Sequence, residues 1–421
     1  MSAREVKIGL LGCGTVGRGV VELVAQNADA IAARTGLRPR IEKILVRDCS
    51  QPRDVDPALL TDRSGDVVRN GVDVVVEALG GDEPACSLLA EALERGKPVV
   101  TANKLVVASH HDRLLTLADR RRRAFGYEAC VCAGVPVVRS LRHALAADRL
   151  TSFEGVLNGT TNFILCRMEE GDSYAEALIE ARQRGFAESD PTNDVEGIDA
   201  ALKTAILCGT AFGATILPDR IPREGITKVT AADLSAVRRW GYTIRLIARA
   251  ELDDCGDIRA SVGPELIPLG APAARVRDEE NVLIVHGQSS GDLIFQGRGA
   301  GGGPTASALL SDVLDAAARP DAPAPRWRKA NPAPARPTSR YLRITCAAPR
   351  AQPQRWLEEL TGMGVGVRRI EVVRCPRDEH QRTVRLLTEP CDDEIVTRVL
   401  SLGSPDDDLI ALRVQSSGRS R

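Results

Sequence analysis

The sequence has little net charge, no long apolar run and no regular cysteine pattern. Its 421 residues carry a formal net charge of −1, so no strong field of one sign favours binding to nucleic acid or to a membrane surface. No apolar run reaches the length of a membrane span, and the N-terminus enters a strand-like segment without a signal-peptide pattern. The eleven cysteines include no CxxC pair, which favours free thiols in a reducing compartment. We therefore expect a cytoplasmic protein that binds neither nucleic acid nor membrane.

Familiar catalytic constellations are missing as well. The five histidines show no clustered spacing, and no Ser/His/Asp or metal-ligand arrangement stands out. The sequence offers glycine-rich turns, lysines and carboxylates instead, and the chemistry is expected to rest on them.

Alternation of strands and helices is the main pattern over residues 6 to 145. Short β-rich runs such as VKIGLLG, DVVVEAL and FGYEACV are separated by amphipathic or alanine-rich segments, notably 15–33 and 84–95. This alternation predicts parallel strands with crossover helices, which is the Rossmann-type doubly wound α/β sheet. From about residue 150 the segments indicate an α+β domain, with a helical pattern over 195–211.

A stretch rich in Pro, Ala and Arg at 319–337 is typical of a linker. The segments after it follow the order strand, helix, strand, strand, helix, strand, which predicts a ferredoxin-like βαββαβ domain. The predicted units are a nucleotide-binding domain at 1–145 completed by 297–318, an α+β substrate domain at 146–296, a linker at 319–338 and a C-terminal domain at 339–421.

The hexapeptide GCGTVG is the first candidate binding site. It has the spacing GxGxxG, directly after an apolar strand and before an apolar helix, and comprises Gly12, Cys13, Gly14, Thr15, Val16 and Gly17. The first glycine permits the turn, the second lets the backbone approach a pyrophosphate, and the third lets helix and strand pack closely. A tight turn in an ordinary α/β domain is the alternative, but the βαβ context favours a dinucleotide site.

The end of the second predicted strand bears on the choice of cofactor. Asp or Glu there would accept a hydrogen bond from the ribose 2′-hydroxyl of NAD, whereas Arg suits the 2′-phosphate of NADP. Arg47 occupies this position, with Asp48 beside it and Arg53 nearby. A solvated charged loop is the simpler interpretation of these residues. We favour NADP(H) over NAD(H), which stays possible.

The stretch 184–213 is the richest in chemistry. A core-facing helical stripe is predicted from the spacing of Val195, Ile198, Leu202, Ala205 and Ile206. Asp199 and Lys203, one turn apart, flank this stripe and are expected to be half buried. An ordinary (i, i+4) ion pair is the simpler interpretation. With a nicotinamide cofactor nearby, however, a lysine could stabilise a forming alkoxide and give it a proton.

Together with GCGTVG, the segments TANK, YEACVCAGVP, ESDPTNDVEGIDAALKTAILCGTAFG and GRGAGGGPTAS closely resemble homoserine dehydrogenases of the long, single-function type. The similarity covers residues 5 to 317. It implies interconversion of L-aspartate 4-semialdehyde and L-homoserine, on the route to threonine, methionine and isoleucine, by a homodimer or homotetramer with a C-terminal ACT-like regulatory domain and with 146–296 also serving dimerisation.

The resemblance also assigns roles to residues. Lys203 would be the proton donor, Asp199 its partner, and Lys104 would lie near both nicotinamide and substrate. Substrate binding would involve Gly185, Glu188 and Asp194. The cofactor would be lined by Cys13, Thr15 and Val16 of the glycine turn, by Thr101 at the nicotinamide ribose, and by Gly301 closing over it. A sodium ion would be held by Glu128, Val131, Ala133 and Val135, although a buried strand ending in a turn explains this segment equally.

One departure concerns the C-terminal domain. Its first loop, AAPRAQPQRWL, lacks the glycine that exposes main chain to an effector in ACT domains. The sequence therefore does not decide between retained and lost inhibition by threonine. A different class of function, a dinucleotide-sensing regulator without catalysis, is the alternative to the enzyme. Such a sensor would not need Asp199, Lys203 and Lys104 together, and all three are present.

Overall fold

Two large β-sheets organise the part of the chain that the computed structural model describes, residues 3–69, 71–375, 378–404 and 406–415. In chain order the strands are β1 (Arg4–Leu11), β2 (Leu37–Leu45), β3 (Leu60–Thr61), β4 (Val74–Glu77), β5 (Val99–Thr101), β6 (Phe125–Gly126), β7 (Leu150–Val156), β8 (Ala214–Thr215), β9 (Tyr242–Leu252), β10 (Ile258–Pro268), β11 (Glu280–Gly287), β12 (Gly291–Arg298), β13 (Arg328–Lys329), β14 (Arg340–Ala347), β15 (Val367–Cys375), β16 (Asp378–Thr388) and β17 (Asp408–Val414).

The α-helices lie between these strands. They are α1 (Thr15–Thr35), α2 (Gly65–Val68), α3 (Ala85–Glu94), α4 (Lys104–Arg121), α5 (Val137–Arg139), α6 (Gly159–Glu170), α7 (Tyr174–Gln183), α8 (Thr192–Val195), α9 (Ile198–Phe212), α10 (Ala231–Arg239), α11 (Pro272–Arg275), α12 (Gly302–Ala318), α13 (Pro353–Gly362) and α14 (Asp393–Ser401). None of the helices within the described ranges has the length and apolar character needed to cross a bilayer.

The first sheet is parallel and has the strand order β3-β2-β1-β4-β5-β6. Its strands are covered on both faces, which explains why β4 begins with three consecutive valines. Val74 and Val76 pack in a core with α1 and α12, whereas Val75 packs with α3 and α4. The predicted doubly wound parallel sheet is therefore confirmed, and α12 packs together with α1 against it.

The second sheet is mixed and has nine strands in the order β12-β11-β7-β9-β10-β17-β14-β16-β15. The last four strands carry the predicted order strand, helix, strand, strand, helix, strand. Strand β17 pairs in parallel with β10, so the C-terminal segment continues the sheet that begins in the middle of the chain. A buried network strengthens this union, because Asp233 of α10 accepts hydrogen bonds from Tyr341 and Arg343 of β14.

Two predicted elements differ from the structure. The strand expected over FGYEACV comprises only Phe125–Gly126, because the backbone turns at Glu128, whose N–H donates to Asp312. The helix expected over 195–211 is broken at Gly197, which has φ 75° between α8 and α9. A side chain at Gly197 would also crowd Val262.

The predicted linker is attached to the fold rather than loose. Trp327 is 9% exposed and lies edge-on to the Tyr127 ring, with Gly209 providing the space for its indole. Strand β13 pairs with β8. The Pro-rich composition therefore marks an extended segment that packs along the surface of the core.

Candidate active site

The carboxylate of Asp199 lies between two lysines from different parts of the chain. Its Oδ2 is 2.8 Å from Nζ of Lys203, one turn further along α9, and its Oδ1 is 2.8 Å from Nζ of Lys104 at the start of α4. Lysine at a helix N-terminus is unfavourable because of the helix dipole. Its presence at the first position of α4 is explained by the carboxylate that it contacts.

Asp199 and Lys203 are more deeply buried than the helical pattern predicted. Asp199 is 6% and Lys203 7% exposed, whereas Ile198 and Leu202 of the predicted core stripe are only half buried. The expectation of half-buried polar groups was therefore wrong. The reason is that α9 packs between α4 on one side and strands β9 and β10 on the other, so most of its circumference faces protein.

The three charges stabilise one another in this environment. Burial alone would raise the pKa of Asp199, but the ammonium groups of Lys203 and Lys104 outweigh it and hold that pKa well below its ordinary value. The same carboxylate raises the pKa of Lys104. The cluster is thus an ionised carboxylate with two ammonium groups, and it carries one positive charge in excess.

Lys203 is held in one position by two acceptors. Besides Asp199, its ammonium donates to the carbonyl oxygen of Leu157 at 2.7 Å. The side chain of Asn281 donates to the same carbonyl at 2.9 Å. An ammonium group has three N–H bonds, so one of them is left to bind a further oxygen atom.

Lys104 is the more accessible of the two lysines, with 40% of its side chain exposed against 9% for Lys203. Its neighbours fix the backbone from which it projects. Asn103 caps α4 by accepting from the N–H of Val106 and donates to the carbonyl of Gly81 at 2.6 Å. Thr101, fully buried, donates to Glu77 at the end of β4.

Asn158 was missed by the sequence analysis. Its amide donates to Asp199 at 3.0 Å and to Asp194 at 2.6 Å, while its oxygen caps α6 by accepting from the N–H of Thr161. Burial raises the pKa of Asp194, although the hydrogen bond from Asn158 acts in the opposite direction. The sequence did carry a pattern that points to Asn158, since Asn directly before a helical segment is a typical N-cap. No comparable sequence pattern points to Glu77 or Asn281.

The two remaining predicted substrate residues lie on an exposed loop. Gly185, with φ 76°, and Glu188 are exposed on the loop after α7. The loop is anchored near Asn158, because Thr160 donates to the carbonyl of Phe186 at 2.7 Å. Asp194 is therefore linked to Asp199 through Asn158, whereas no contact joins Gly185 or Glu188 to the cluster within the described residues.

Each glycine of the turn after β1 has a different role in the structure. Gly12 has φ 101°, and a Cβ there would lie 2.7 Å from the carbonyl oxygen of Ala78. A Cβ at Gly17 would overlap the carbonyl oxygen of Gly12, whereas a Cβ at Gly14 meets nothing within 4 Å. Gly12 and Gly17 are thus required by packing, and the free space at Gly14 is where a ligand can approach the backbone. The start of α1 has no side-chain cap, so its N–H groups are available to an anion.

An open cleft of about 450 Å³ adjoins this turn. It is lined by Cys13, Gly14, Thr15, Arg18, Pro52, Arg53 and Asp54. Arg47 is exposed just beyond β2 and is not among these residues. The cations beside the glycine turn are therefore Arg18 and Arg53. The sequence analysis named Arg53 only as a neighbour of Arg47, and it did not name Arg18.

The second glycine loop lies against the first. Gly301, with φ 111°, precedes α12, and a Cβ at Gly302 would lie 3.2 Å from Cγ2 of Thr15. Gly299 of the same loop is required for another reason, since any side chain there would overlap the carboxamide of Asn281. The loop thus packs against both the glycine turn after β1 and Asn281, which donates to the same carbonyl of Leu157 as Lys203 does.

The segment predicted to bind sodium forms a buried turn. The carboxylate of Glu128 accepts from the N–H groups of Val138 at 2.9 Å and Arg139 at 2.7 Å. Val135 accepts at its carbonyl from Val137. Within the described ranges, no backbone N–H donates to the carbonyl oxygens of Val131 or Ala133. In the same ranges no cluster of three or more His, Cys, Asp or Glu residues has the geometry of a metal site.

A parallel sheet with the order 3-2-1-4-5-6, a glycine turn open to phosphate and a buried lysine–carboxylate cluster at the same sheet edge define an NAD(P)-dependent oxidoreductase. Comparison with known sequences specifies which one. The family model described as the NAD binding domain of homoserine dehydrogenase matches residues 12–128, and that of homoserine dehydrogenase matches 136–314. The chain belongs to the homoserine dehydrogenase family, and its function is that of a homoserine dehydrogenase.

Individual relatives agree with this assignment. The homoserine dehydrogenase of Corynebacterium glutamicum is 44% identical over 319 residues, which cover 74% of this chain and 72% of that protein. The Bacillus subtilis enzyme is 41% identical over 315 residues, with 74% and 72% covered. Among solved structures, a homoserine dehydrogenase from Thiobacillus denitrificans has a TM-score of 0.89 at 32% identity and 99% coverage of both chains. A hyperthermophilic archaeal homoserine dehydrogenase mutant solved in complex with NADPH has a TM-score of 0.63 at 27% identity, covering 74% of this chain and 97% of that one.

The open space at Gly14 leads to a test of the cofactor site. Gly14→Ala is expected to change the free energy of unfolding by less than about 1 kcal/mol, because φ there is −79° and the methyl group meets no protein atom. It should weaken NADPH binding by about tenfold or more, since the methyl group occupies the approach to the helix N-terminus. NADPH fluorescence titration and urea unfolding measure the two effects.

Gly17→Ala is the matched comparison, and it should destabilise the protein by roughly 1–3 kcal/mol through overlap with Gly12. Wild-type NADPH affinity in the Gly14 variant would show that the dinucleotide does not approach this turn.

Proposed function

We propose that the enzyme carries out the NADP-linked interconversion of L-homoserine and L-aspartate 4-semialdehyde with Lys203 as the group that gives and takes the proton. The observation that carries this assignment is the position of its ammonium, which is bound by Asp199 and by the carbonyl of Leu157 and has one N–H left. When bound, the nicotinamide supplies or accepts the hydride. A proton must move in step with it, because reduction turns the aldehyde oxygen into an alkoxide that becomes the hydroxyl of homoserine.

In this proposal the charged groups of Lys203, Asp199 and Lys104 stabilise the negative charge that forms on the substrate oxygen. The remaining N–H of Lys203 donates to the substrate oxygen and stabilises the negative charge that develops there. Asp199 positions Lys203 by a contact of 2.8 Å, and Lys104 holds the same carboxylate from the other side. The partial exposure of Lys104 leaves its other N–H groups free to contact nicotinamide or substrate. In the oxidation direction the same lysine, once deprotonated, receives the hydroxyl proton.

Recognition of the amino-acid end of the substrate falls to the residues beside Asn158. Asp194, held by Asn158, and Glu188 on the exposed loop are carboxylates suited to an ammonium group. Gly185 leaves the backbone of the same loop unobstructed by a side chain. Asn158 joins Asp194 to Asp199 through its amide group, which supports one shared pocket.

The cofactor preference is proposed from charge. Arg18 and Arg53 beside the glycine turn, together with the exposed Arg47, offer guanidinium groups to the 2′-phosphate of NADP. The ribose and nicotinamide would extend past Thr101 towards Lys104, with Gly301 on the far side. The same turn also accommodates NAD(H), which lacks the 2′-phosphate and therefore makes no phosphate contact with these arginines.

A monovalent cation fits the segment around Glu128. The buried carboxylate of Glu128 and the carbonyl oxygens of Val131, Ala133 and Val135 form an all-oxygen donor set, and hard cations prefer oxygen ligands. Two of these carbonyls have no backbone N–H partner in the described chain. Sodium held there would tie this turn to α5, which is a structural function.

The larger assembly is also proposed on physical grounds. We assign 1–145 with 297–318 to nucleotide binding, 146–296 to catalysis and dimerisation, 319–338 to the connection and 339–421 to an ACT-like unit. Strand β12 is an edge of the second sheet and exposes Ile294 by 52%, which favours a homo-oligomer since unpaired apolar edges seek partners. The ten described cysteines are all free thiols, as expected for a cytoplasmic location.

Lys203→Met tests the proton-transfer role. The substitution keeps the length of the side chain and removes the charge, so turnover of homoserine should fall by about 10²–10⁴-fold, while NADPH affinity stays near wild type. Asp199 remains paired with Lys104, which protects the fold.

Lys97→Met is the matched control, because Lys97 also donates to a carbonyl, that of Val72 at 2.7 Å, away from the cluster. Near-wild-type turnover in the Lys203 variant would remove it from the proton transfer. An inactive but folded wild-type protein that still binds NADPH would instead favour the sensor.

Three arginine variants test the cofactor preference. Arg47→Ala and Arg53→Ala should each raise the KM for NADPH while leaving that for NADH nearly unchanged, because only NADPH carries the 2′-phosphate. The effect of Arg53 is expected to be the larger, since it lines the cleft.

Arg34→Ala, at the exposed C-terminal end of α1, is the control. Equal losses for both cofactors in the Arg47 and Arg53 variants would contradict a phosphate-binding role for these residues.

A further inference from the structure

A cavity of about 620 Å³ lies against the linker, away from the cluster around Asp199. Its walls are the linker residues 322–327, the C-terminal ends of α9 and α12, the segment 138–146 and the chain that begins with β6. Small-molecule sites have volumes of this size. No residue lines both this cavity and the cleft at the glycine turn, so the cavity is a separate candidate site.

One wall of the cavity contains a buried hydrogen-bond donor without a partner. Trp327 lines the cavity and is 9% exposed, and its Nε1 has no hydrogen-bond partner in the described part of the chain. An indole N–H can only donate, and a buried donor without an acceptor is costly. The missing partner is therefore an acceptor, which an oxygen atom of a ligand can supply.

Two arginines of the cavity lack a counter-ion. The other two arginines of the lining, Arg139 and Arg326, each pair with a carboxylate, whereas Arg142 and Arg319 have no such partner within the described ranges. Burial, and then the charges of Arg142 and Arg319, lower the pKa of His143, so these three side chains lie close together. A negatively charged ligand would neutralise this group of cations.

The acidic residues of the same cavity already have donors. Glu128, Asp148 and Asp312 each accept a hydrogen bond from backbone N–H, and Asp315 pairs with Arg139 at 2.9 Å. Among the described residues, the lining thus presents unpaired cations and no unpaired carboxylate. This difference favours an anionic ligand over a cationic one.

Much of the remaining lining is apolar. It includes Leu141, Leu145 and Leu150, and the ring of Tyr127, which lies 5.5 Å from the guanidinium carbon of Arg142. Hydrocarbon placed against these side chains is removed from water, which is favourable. Cations, an N–H donor and an apolar wall together are complementary to an organic carboxylate, whose oxygen atoms and hydrocarbon body meet different parts of the lining.

We propose that this cavity binds an organic carboxylate with an apolar body, whose oxygen atoms accept hydrogen bonds from Trp327, Arg142 and Arg319. The bound molecule joins the linker to α12 and to the segment 138–146. The inference concerns a site outside the active site, and it does not depend on the proton-transfer role of Lys203.

Calorimetric titration of the full-length protein tests the proposal, with saturating NADP⁺ present to fill the cofactor cleft. The probes are benzoate, cyclohexanecarboxylate and naphthalene-2-carboxylate. Acetate is the analogue without the apolar body, and the amides of the same three acids are the analogues without the charge. At least one of the three carboxylates should bind saturably, and acetate and its own amide should bind about tenfold or more weakly.

Arg142→Gln and Arg319→Gln should each weaken binding of that carboxylate by about tenfold. Neither arginine has a carboxylate partner to lose, so both variants are expected to fold. Arg34→Gln is the matched control, because Arg34 lies in the last turn of α1 and does not line the cavity. It should leave binding unchanged.

Tryptophan fluorescence locates the bound molecule. The chain has three tryptophans, and of these Trp327 lines the cavity. Saturation with the carboxylate should change the emission of the wild type and should leave that of Trp327→Phe unchanged. If Trp327→Phe does not fold, the two arginine variants still decide the test.

No saturable binding by any of the three carboxylates, or equal binding of acetate or of the amides, would overturn the site. Unchanged binding in both arginine variants would also overturn it and would indicate entry into the active site instead. Binding that leaves the wild-type emission unchanged, or that changes the emission of Trp327→Phe equally, would contradict contact with Trp327.

Discussion

The buried carboxylate of Asp199 is the interaction on which the site depends. It contacts one lysine at the start of α4 and one from its own helix, each at 2.8 Å. A single ammonium or carboxylate at this depth would be strongly disfavoured. Three charges in contact compensate one another, and the excess positive charge is available to an oxygen atom that becomes negative during the reaction. The carboxylate therefore both permits the burial of Lys203 and directs its remaining N–H.

The fold brings these groups together by two separate geometrical rules. In the parallel sheet, the carboxyl ends of β1, β4 and β5 lie at one edge, so the glycine turn, Glu77 and Thr101 are neighbours. In the second sheet, β9 and β10 support α9 from behind, and Asn158 at the end of β7 links Asp199 to Asp194. The C-terminal strands extend this second sheet, because β17 pairs in parallel with β10, the strand that packs against α9.

Much of this arrangement could be predicted because it is local in the sequence. Short-range sequence patterns carry the glycine spacing, the strand–helix alternation and the (i, i+4) relation of Asp199 and Lys203. The contact between Lys104 and Asp199 joins residues 95 positions apart, and no periodicity encodes it; only the resemblance suggested that both were catalytic. Burial of Asp199 was underestimated because an amphipathic pattern describes a helix with one solvent face, and α9 has little. Arg53 was not distinguished from Arg47 because the direction of the loop after β2 depends on tertiary contacts.

The isosteric variant Asp199→Asn tests the central claim most directly, by measuring kcat for homoserine across pH together with NADPH affinity. The two lysines would lose their common counter-ion, and Lys104 would lose the carboxylate that raises its pKa. We expect kcat to fall by about 10²-fold or more and the pH profile to move to lower pH, with NADPH affinity unchanged. A wild-type kcat with an unmoved pH profile would show that the reaction does not depend on this carboxylate.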